Sequence, residues 1–243
     1  MEFFNHAGYK VQKISNIPLI VEADEFDLET IRLARQISMQ SYERLWALIN
    51  ATKYVALNNI PGDFVECGVY KGGSALVIAR TLNRYQVLDR KIYLYDTYEG
   101  MTEPKEIDKR ISSKTPAINY LNDPAKKDKV LAYASFESVT KILDSLDYPK
   151  SNFILIKGDV SETLLKVLPT NIALLRLDTD WYESSLAELE ILYPLVVRKG
   201  IIIIDDYGHW SGAKQAVDDY LELNKINPLM NYIDYAGRLW TKT

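Results

Sequence analysis

A glycine-rich turn between an apolar run and a helix-favouring segment constrains the fold of this chain most strongly. The stretch covers residues 64–74 and reads FVECGVYKGGS. A strand that passes through a glycine loop into a helix, here residues 75–82, is the unit that opens a nucleotide-binding α/β sheet. Gly68 permits a sharp backbone turn, and Gly72 leaves room for a ligand near the amides of the helix start.

The spacing of these glycines narrows the kind of ligand. The pattern Gly-x-x-x-Gly-Gly from Gly68 differs from the Gly-x-Gly-x-x-Gly of a dinucleotide pyrophosphate site. Glu66 lies where the predicted strand ends, and an acid there suits a cationic or hydroxyl-rich ligand better than a phosphate. The alternative is a glycine loop that only turns the chain.

Composition limits the class of protein. With 243 residues, 47% hydrophobic and 26% charged, residues 1–243 are expected to form a single α/β domain. A net charge of -4 argues against nucleic acid as a partner. No apolar run reaches the roughly 18 residues of a membrane span, and residues 1–5 lack a signal-peptide pattern, so a cytoplasmic protein without a membrane partner is expected.

Few soft ligands are available for a metal. The single cysteine, Cys67, excludes an internal disulfide, and two histidines, His6 and His209, cannot form a histidine-rich metal site. Any metal must therefore be bound mainly by oxygen.

Residues 1–60 are predicted to form an N-terminal arm, residues 1–26, followed by a helical cap. Asp27 is the expected N-cap of a helix that begins at Leu28, and Ser41 that of a second helix. The cap is interpreted as packing on the sheet, as a cover over the ligand site, or as a subunit contact in a homo-oligomer.

Strands and helices alternate along the rest of the chain, which predicts a doubly wound, mostly parallel Rossmann-like sheet. Ser161 is the expected cap of the helix after the third strand, and Gly200 is expected to close a helix over residues 184–197. A further helix is predicted at residues 212–223, and an antiparallel hairpin or edge strand from residue 231 to the end. The strands are predicted at residues 64–66, 91–96, 153–157, 172–177 and 201–204.

Residues 98–134 interrupt this alternation. The segment is rich in Lys, Asp, Glu and Pro and is too long for an ordinary connection. We therefore predict a lid beside the carboxyl ends of the strands, with its lysines forming a solvated face rather than an anion site.

Acids follow the predicted strands, at the edge of an α/β sheet where ligands bind. Asp96 is placed to accept hydrogen bonds from ribose hydroxyls. Carboxylates gathered at one edge repel each other unless a proton or cation compensates, and oxygen ligands favour Mg²⁺, Mn²⁺ or Ca²⁺. Helix capping is the alternative role. These acids are Glu66, Asp96, Asp178, Asp180, Asp205 and Asp206.

Four blocks, at residues 61–74, 95–101, 177–184 and 205–213, together resemble the macrocin-type family of S-adenosylmethionine-dependent O-methyltransferases, which methylate sugar hydroxyls in macrolide biosynthesis. The resemblance implies a Mg²⁺ site at Asp178, Asp205 and Asp206. Residues 105–129 of the lid have no recognised counterpart in this family. Because lids shape acceptor pockets, the resemblance leaves the acceptor unidentified. The resemblance also implies an S-adenosylmethionine site at Glu66, Gly68, Tyr70, Gly72, Ser74, Asp96, Thr97, Gly158 and Asp159.

The resulting hypothesis is methyl transfer from S-adenosylmethionine to a hydroxyl of a small acceptor, a sugar or glycosylated natural product. Mg²⁺ would lower the pKa of that hydroxyl. Asp178 is the candidate general base, and His209 is its rival, with a surface loop histidine as the structural alternative. An NAD-dependent oxidoreductase is disfavoured by the glycine spacing, and a non-catalytic ligand-binding protein by the intact acids.

Overall fold

The computed structural model describes residues 20–243, so most of the arm predicted for residues 1–26 lies outside the described residues. Seven strands form one sheet. In chain order they are β1 (Asp63–Cys67), β2 (Ile92–Asp96), β3 (Phe153–Lys157), β4 (Ile172–Leu177), β5 (Val196–Ile204), β6 (Asn231–Tyr232) and β7 (Arg238–Thr241).

Helices surround this sheet. They are α1 (Glu25–Arg35), α2 (Tyr42–Leu57), α3 (Gly73–Arg84), α4 (Ala117–Leu121), α5 (Lys127–Leu131), α6 (Phe136–Asp144), α7 (Val160–Thr163), α8 (Tyr182–Leu192) and α9 (Ser211–Leu223). None of the helices within residues 20–243 is long and apolar enough to cross a bilayer.

The strand order β3-β2-β1-β4-β5-β7-β6 confirms the predicted doubly wound sheet. The first five strands are parallel, and β7 joins antiparallel to β5 and β6, as expected for a terminal hairpin. All six residues of β4 are buried, because helices cover both faces of the sheet. The chain order reverses between β1 and β4, which places a ligand crevice at the carboxyl ends of these two strands.

The helical cap packs against the sheet because α2 contacts β4 and β5 directly, and both α1 and α2 contact α3. Ser41 caps α2 as predicted, accepting a hydrogen bond from Arg44 N at 3.1 Å. The first helix begins earlier than predicted, because Asp24 is extended and its side chain accepts from Asp27 N at 3.1 Å. Asp27 instead lies inside α1, where it is buried beside Lys53.

Two further boundary predictions were wrong. Asp159, rather than Ser161, caps α7, because its side chain accepts from Ser161 N at 2.8 Å. The helix before β5 ends at Leu192 and is followed by a 3-10 turn containing Pro194, which lacks the N–H that a continuing helix would use. Gly200 therefore lies within β5 and closes no helix.

The predicted lid contains α4 and α5 and is attached to the edge of the crevice at fixed points. Asp108 is fully buried there and accepts hydrogen bonds from Tyr182 N at 2.9 Å and Lys105 N at 2.8 Å. Ile111 N donates to His209 O at 2.9 Å. The segment thus forms one wall above the carboxyl ends of β4 and β5.

Candidate active site

A cavity of about 590 Å³ lies at the carboxyl ends of the central strands. Two predicted site residues, Glu66 and Gly72, are not part of its wall. The fold brings the others together around this one space. They are Gly68, Tyr70, Ser74, Asp96, Thr97, Gly158, Asp159, Asp178, Asp205, Asp206 and His209.

The glycine loop is in direct contact with the end of β4. Asp178 N donates to Cys67 O at 2.8 Å. Gly68 has a φ of +85°, and a Cβ placed on it would lie 2.1 Å from Asp178 O. Gly72 shares this φ, but its added Cβ would meet only side chains, the nearest at 3.6 Å. Gly68 is therefore the position where a side chain would force the two strand ends apart.

Asp96 at the end of β2 holds this loop in place. One carboxylate oxygen accepts from Val69 N at 2.7 Å and Tyr70 N at 3.0 Å, and the other accepts from Tyr98 N at 2.7 Å. Thr97 Oγ1 lies 3.5 Å from that second oxygen but donates to Gly100 O at the shorter distance of 2.6 Å. Each carboxylate oxygen can accept two hydrogen bonds, so a ribose hydroxyl can take the place of this long contact. The predicted contact with the cofactor remains a prediction.

Neighbouring residues extend the predicted cofactor side of the cavity. Gly158 N donates to Asp96 O at 3.0 Å, which fixes the turn after β3 beside the turn after β2. Ser74 is buried and its hydroxyl accepts from Gln40 Nε2 at 2.5 Å. The loop between α1 and α2 thereby reaches the start of α3, and the helical cap forms part of the cavity wall.

Arg176 is a fully buried cation and the next-to-last residue of β4. Its guanidinium donates to Glu66 at 2.6 Å, to Asp178 at 2.8 Å and to Asp205 at 2.6 Å. Burial raises the pKa of Glu66 to about 7, although Arg176 favours the ionised carboxylate. Glu66 thus faces Arg176 beneath the cavity, and its contact with the cofactor stays a prediction.

The carboxylates of Asp178, Asp205 and Asp206 form a cluster whose ligand oxygens lie within 4.8 Å of one another. Arg44 of α2 donates to Asp205 at 2.5 Å and to Asp234, in the loop before β7, at 2.8 Å. The cap, the strand ends and the terminal hairpin therefore meet at one ionic network.

Charges in this network are not balanced. Burial, together with the nearby Asp205 and Asp206 carboxylates, raises the pKa of Asp178 well above its ordinary value, although Arg176 opposes the shift. Burial also disfavours charge on Asp205, but Arg176 and Arg44 outweigh it and lower its pKa.

The network thus contains two arginines and a larger number of carboxylates, so its excess negative charge can be compensated by a bound proton or cation. Three carboxylates this close, with an excess of negative charge, fit a hard divalent cation such as Mg²⁺.

His209 lies at the lid side of the cavity. Its Nδ1 is 3.0 Å from the hydroxyl of Tyr235, and its ring packs edge-on against Trp210. Burial lowers the pKa of His209 below its ordinary value, although Asp206 favours the charged imidazolium. A neutral imidazole at this position is able to accept a proton, as the prediction of a rival base requires.

The sequence interpretation missed the cations of the network. Arg176 had one visible signal, since a single charged residue stood in the apolar run of residues 172–177. Arg44 and Tyr235 had none, because they approach the strand ends from distant segments of the chain.

A protein-family model described as macrocin O-methyltransferase (TylF) matches residues 22–242 of this chain. The demethyldecarbamoylnovobiocin O-methyltransferase of Streptomyces niveus is 31% identical over 206 residues, which cover 85% of this chain and 76% of that protein. The mycinamicin III 3''-O-methyltransferase of Micromonospora griseorubida is 24% identical, with coverage of 85% and 78%.

Solved structures show the same architecture. The O-methyltransferase NovP superposes with a TM-score of 0.73 at 29% identity, covering 85% of this chain and 82% of that chain. The calicheamicin methyltransferase CalS11 superposes with a TM-score of 0.63 at 18% identity, covering 94% of this chain and 99% of that chain, which extends the similarity in fold.

Proposed function

This chain belongs to the macrocin O-methyltransferase (TylF) family, and from that premise we propose that it methylates a hydroxyl of a sugar or glycosylated natural product with S-adenosylmethionine as donor. Asp178, Asp205 and Asp206 are proposed to bind Mg²⁺ or another hard divalent cation. An oxidoreductase or a non-catalytic binding protein is not favoured by this membership.

The observation that supports the proposal is the contact between the glycine loop and the acid cluster. Gly68 packs against Asp178, so a cofactor on the loop and a hydroxyl at the cluster would be neighbours in one cavity. Relatives named as methyltransferases of glycosylated natural products add support for this class of acceptor.

In the proposed reaction the hydroxyl oxygen attacks the methyl carbon of the sulfonium. A carbon–oxygen bond forms, the carbon–sulfur bond breaks, and S-adenosylhomocysteine is released. Alignment of oxygen, carbon and sulfur supplies much of the rate. When bound, a divalent cation polarises the hydroxyl and lowers its pKa.

The proton of the hydroxyl needs an acceptor. Asp178 is the proposed base because it contacts the glycine loop at Gly68 and also belongs to the acid cluster, so it lies between the proposed cofactor and the hydroxyl. His209 is the alternative, held by Tyr235. Arg176 and Arg44 orient Asp205 through both of its oxygens.

The experiment that tests the proposal incubates the full chain with methyl-labelled S-adenosylmethionine and a panel of glycosides. Mass spectrometry then identifies any product that is heavier by the labelled methyl group. Calorimetric titration with S-adenosylmethionine and with NAD accompanies it. Binding of NAD without binding of S-adenosylmethionine would contradict the proposed function.

A further inference from the structure

The lid wall of the cavity is cationic. We propose that Arg110 and Lys126 form a subsite for an anionic group of the acceptor, a phosphate or a carboxylate. The two residues lie on either side of Tyr120 in the sequence, and the proposal rests on the proposed function. The hydroxyl to be methylated then faces the acid cluster of Asp178, Asp205 and Asp206.

The two cations are gathered at one aromatic ring. Arg110 Cζ lies 5.9 Å and Lys126 Nζ lies 5.6 Å from the centroid of the Tyr120 ring. Tyr120 is held by Ser113, whose hydroxyl oxygen is 3.1 Å from the phenolic oxygen, and by edge-on packing against Trp210. Arg110, Tyr120 and Lys126 all line the cavity.

Among the described residues, Arg110 lacks the counter-ions that Arg44, the other arginine of the cavity wall, and Arg176, beneath the cavity, have. Arg44 and Arg176 are each paired with carboxylates. Within residues 20–243, no carboxylate lies within 4.0 Å of the Arg110 guanidinium, and its Nε is buried without a hydrogen-bond partner. A guanidinium that lines the cavity without a carboxylate partner suits the planar, two-oxygen contact that carboxylates and phosphates offer.

Lys126 adds a charge that is only partly neutralised. Its one ion pair among the described residues is with Asp123, at 2.6 Å, and more than half of its side chain is exposed. Lys129 also lines the cavity. Both lysines are exposed, as expected for a solvated face, and the proposed subsite gives them the alternative role of an anion site.

The opposite charges of the two sides select and orient the ligand. A neutral glycoside would leave Arg110 without a partner. An anionic group would be attracted to the lid cations, so the sugar would enter with its free hydroxyl towards Asp178. Two sources share this chemistry: a sugar carried on a nucleoside diphosphate, and a glycoside with a carboxylic acid.

The test measures anion binding directly. The full chain is saturated with S-adenosylhomocysteine in metal-free buffer and titrated calorimetrically with inorganic pyrophosphate and, separately, with citrate. We expect Arg110→Gln to weaken binding about 10-fold or more, since a charge-assisted contact is lost. Lys126→Gln should weaken it about 3-fold, as for a partly exposed charge pair.

Controls separate the subsite from folding and from the methyltransferase proposal. Lys109→Gln removes a charge from an exposed lid lysine that is not in the cavity wall, and it should change affinity less than about 2-fold. Arg110→Lys should give an intermediate affinity, because it keeps the charge and loses the planar fork. Thermal unfolding verifies that each variant is folded.

Tighter binding of pyrophosphate supports a phosphate source, and tighter binding of citrate supports a carboxylate source. Absence of binding to the wild type, or equal binding to Arg110→Gln, overturns the subsite. If S-adenosylhomocysteine still binds in that case, the proposed function stands. If S-adenosylhomocysteine itself fails to bind the wild type, the proposed function fails instead.

Discussion

Arg176 Nη2 donates to Asp205 Oδ1 at 2.6 Å, and both residues are buried at neighbouring strand ends. The same guanidinium contacts Glu66 and Asp178. One strand cation therefore fixes the positions of acids from β1, β4 and β5. Without it, the acids would be buried next to one another with no counter-charge within the sheet.

Replacing Arg176 is expected to destabilise the fold strongly. Arg176→Met leaves Glu66 and Asp178 without their cation and Asp205 with Arg44 alone. Removing one side of a buried ion pair costs about 3–5 kcal/mol. The free energy of unfolding in urea measures this loss. Arg198→Met, at an exposed position of β5, should change it by less than about 0.5 kcal/mol. Equal stability of the two variants would contradict the assigned role of Arg176.

The glycine loop offers a matched pair of substitutions. Gly72→Ala should lower the free energy of unfolding by about 1–2 kcal/mol, the cost of placing an alanine at a left-handed φ. No steric cost is added, because the new Cβ would meet its neighbours at ordinary distances. Gly68→Ala incurs the same cost and also collides with Asp178 O. We expect Gly68→Ala to be less stable than Gly72→Ala and to bind S-adenosylmethionine more weakly. Thermal unfolding measures the stability of the two variants, and calorimetry measures their affinity for S-adenosylmethionine. Similar stabilities and affinities for both variants would contradict the predicted collision between residue 68 and Asp178.

Asp96 is expected to affect the cofactor through its hydrogen bonds. Asp96→Asn loses a charged acceptor of three backbone amides and its predicted contact with the ribose. Binding of S-adenosylmethionine should weaken by about 1.5–3 kcal/mol, measured by calorimetry. Asp63→Asn is the control, since Asp63 accepts from Lys91 N at the opposite end of β1. An unchanged affinity for Asp96→Asn would take Asp96 out of the cofactor site.

The proposed metal gives a prediction about turnover. Asp205→Asn and Asp206→Asn should abolish most methyl transfer, and so should EDTA added to the wild type, with Mg²⁺ restoring only the wild type. S-adenosylmethionine should still bind, because the glycine loop follows a different strand.

Asp206→Asn is the cleaner of these variants, since Asp205 also pairs with two arginines. Glu222→Gln, at an exposed position of α9, serves as the control and should keep full turnover. Full methyl transfer in EDTA would reject the metal and leave Asp178 or His209 as an unassisted base.

Glu188 should make stability depend on pH. Burial raises the pKa of Glu188 to about 8 from an ordinary value of 4.5, while Thr179 donates to it at 3.1 Å. The folded state therefore retains a proton that the unfolded state loses, so stability falls as the pH rises from 4.5 to 8. The slope from this group approaches about 1.4 kcal/mol per pH unit.

Glu188→Gln should flatten that decline, measured as the free energy of unfolding in urea at pH 5, 6.5 and 8. Glu190→Gln, at an exposed position of the same helix, should leave the slope as in the wild type. A slope that is unchanged in Glu188→Gln would show that the proton is bound elsewhere.

The sequence by itself determined the sheet, the glycine loop and the edge at which the acids gather. These follow from local rules: apolar runs form buried strands, glycine permits a left-handed turn, and parallel strands end on one side. Asp178, Asp180, Asp205 and Asp206 could be placed at this edge in advance because they follow apolar strands, and the family resemblance singled out Asp178, Asp205 and Asp206 among them. Boundaries were less certain, since Asp24 competes with Asp27, and Asp159 with Ser161, as a cap only a few residues away.

Only the tertiary structure decided how the acids are compensated. Arg44 comes from α2, Arg176 from inside β4 and Asp234 from the last hairpin, and no local pattern places these three together. Burial then sets different charge states, because Asp205 has two arginines and Asp178 shares one of them. Coulomb energies depend on distance and on burial rather than on separation along the chain, so the charge balance of this site is a property of the packed fold.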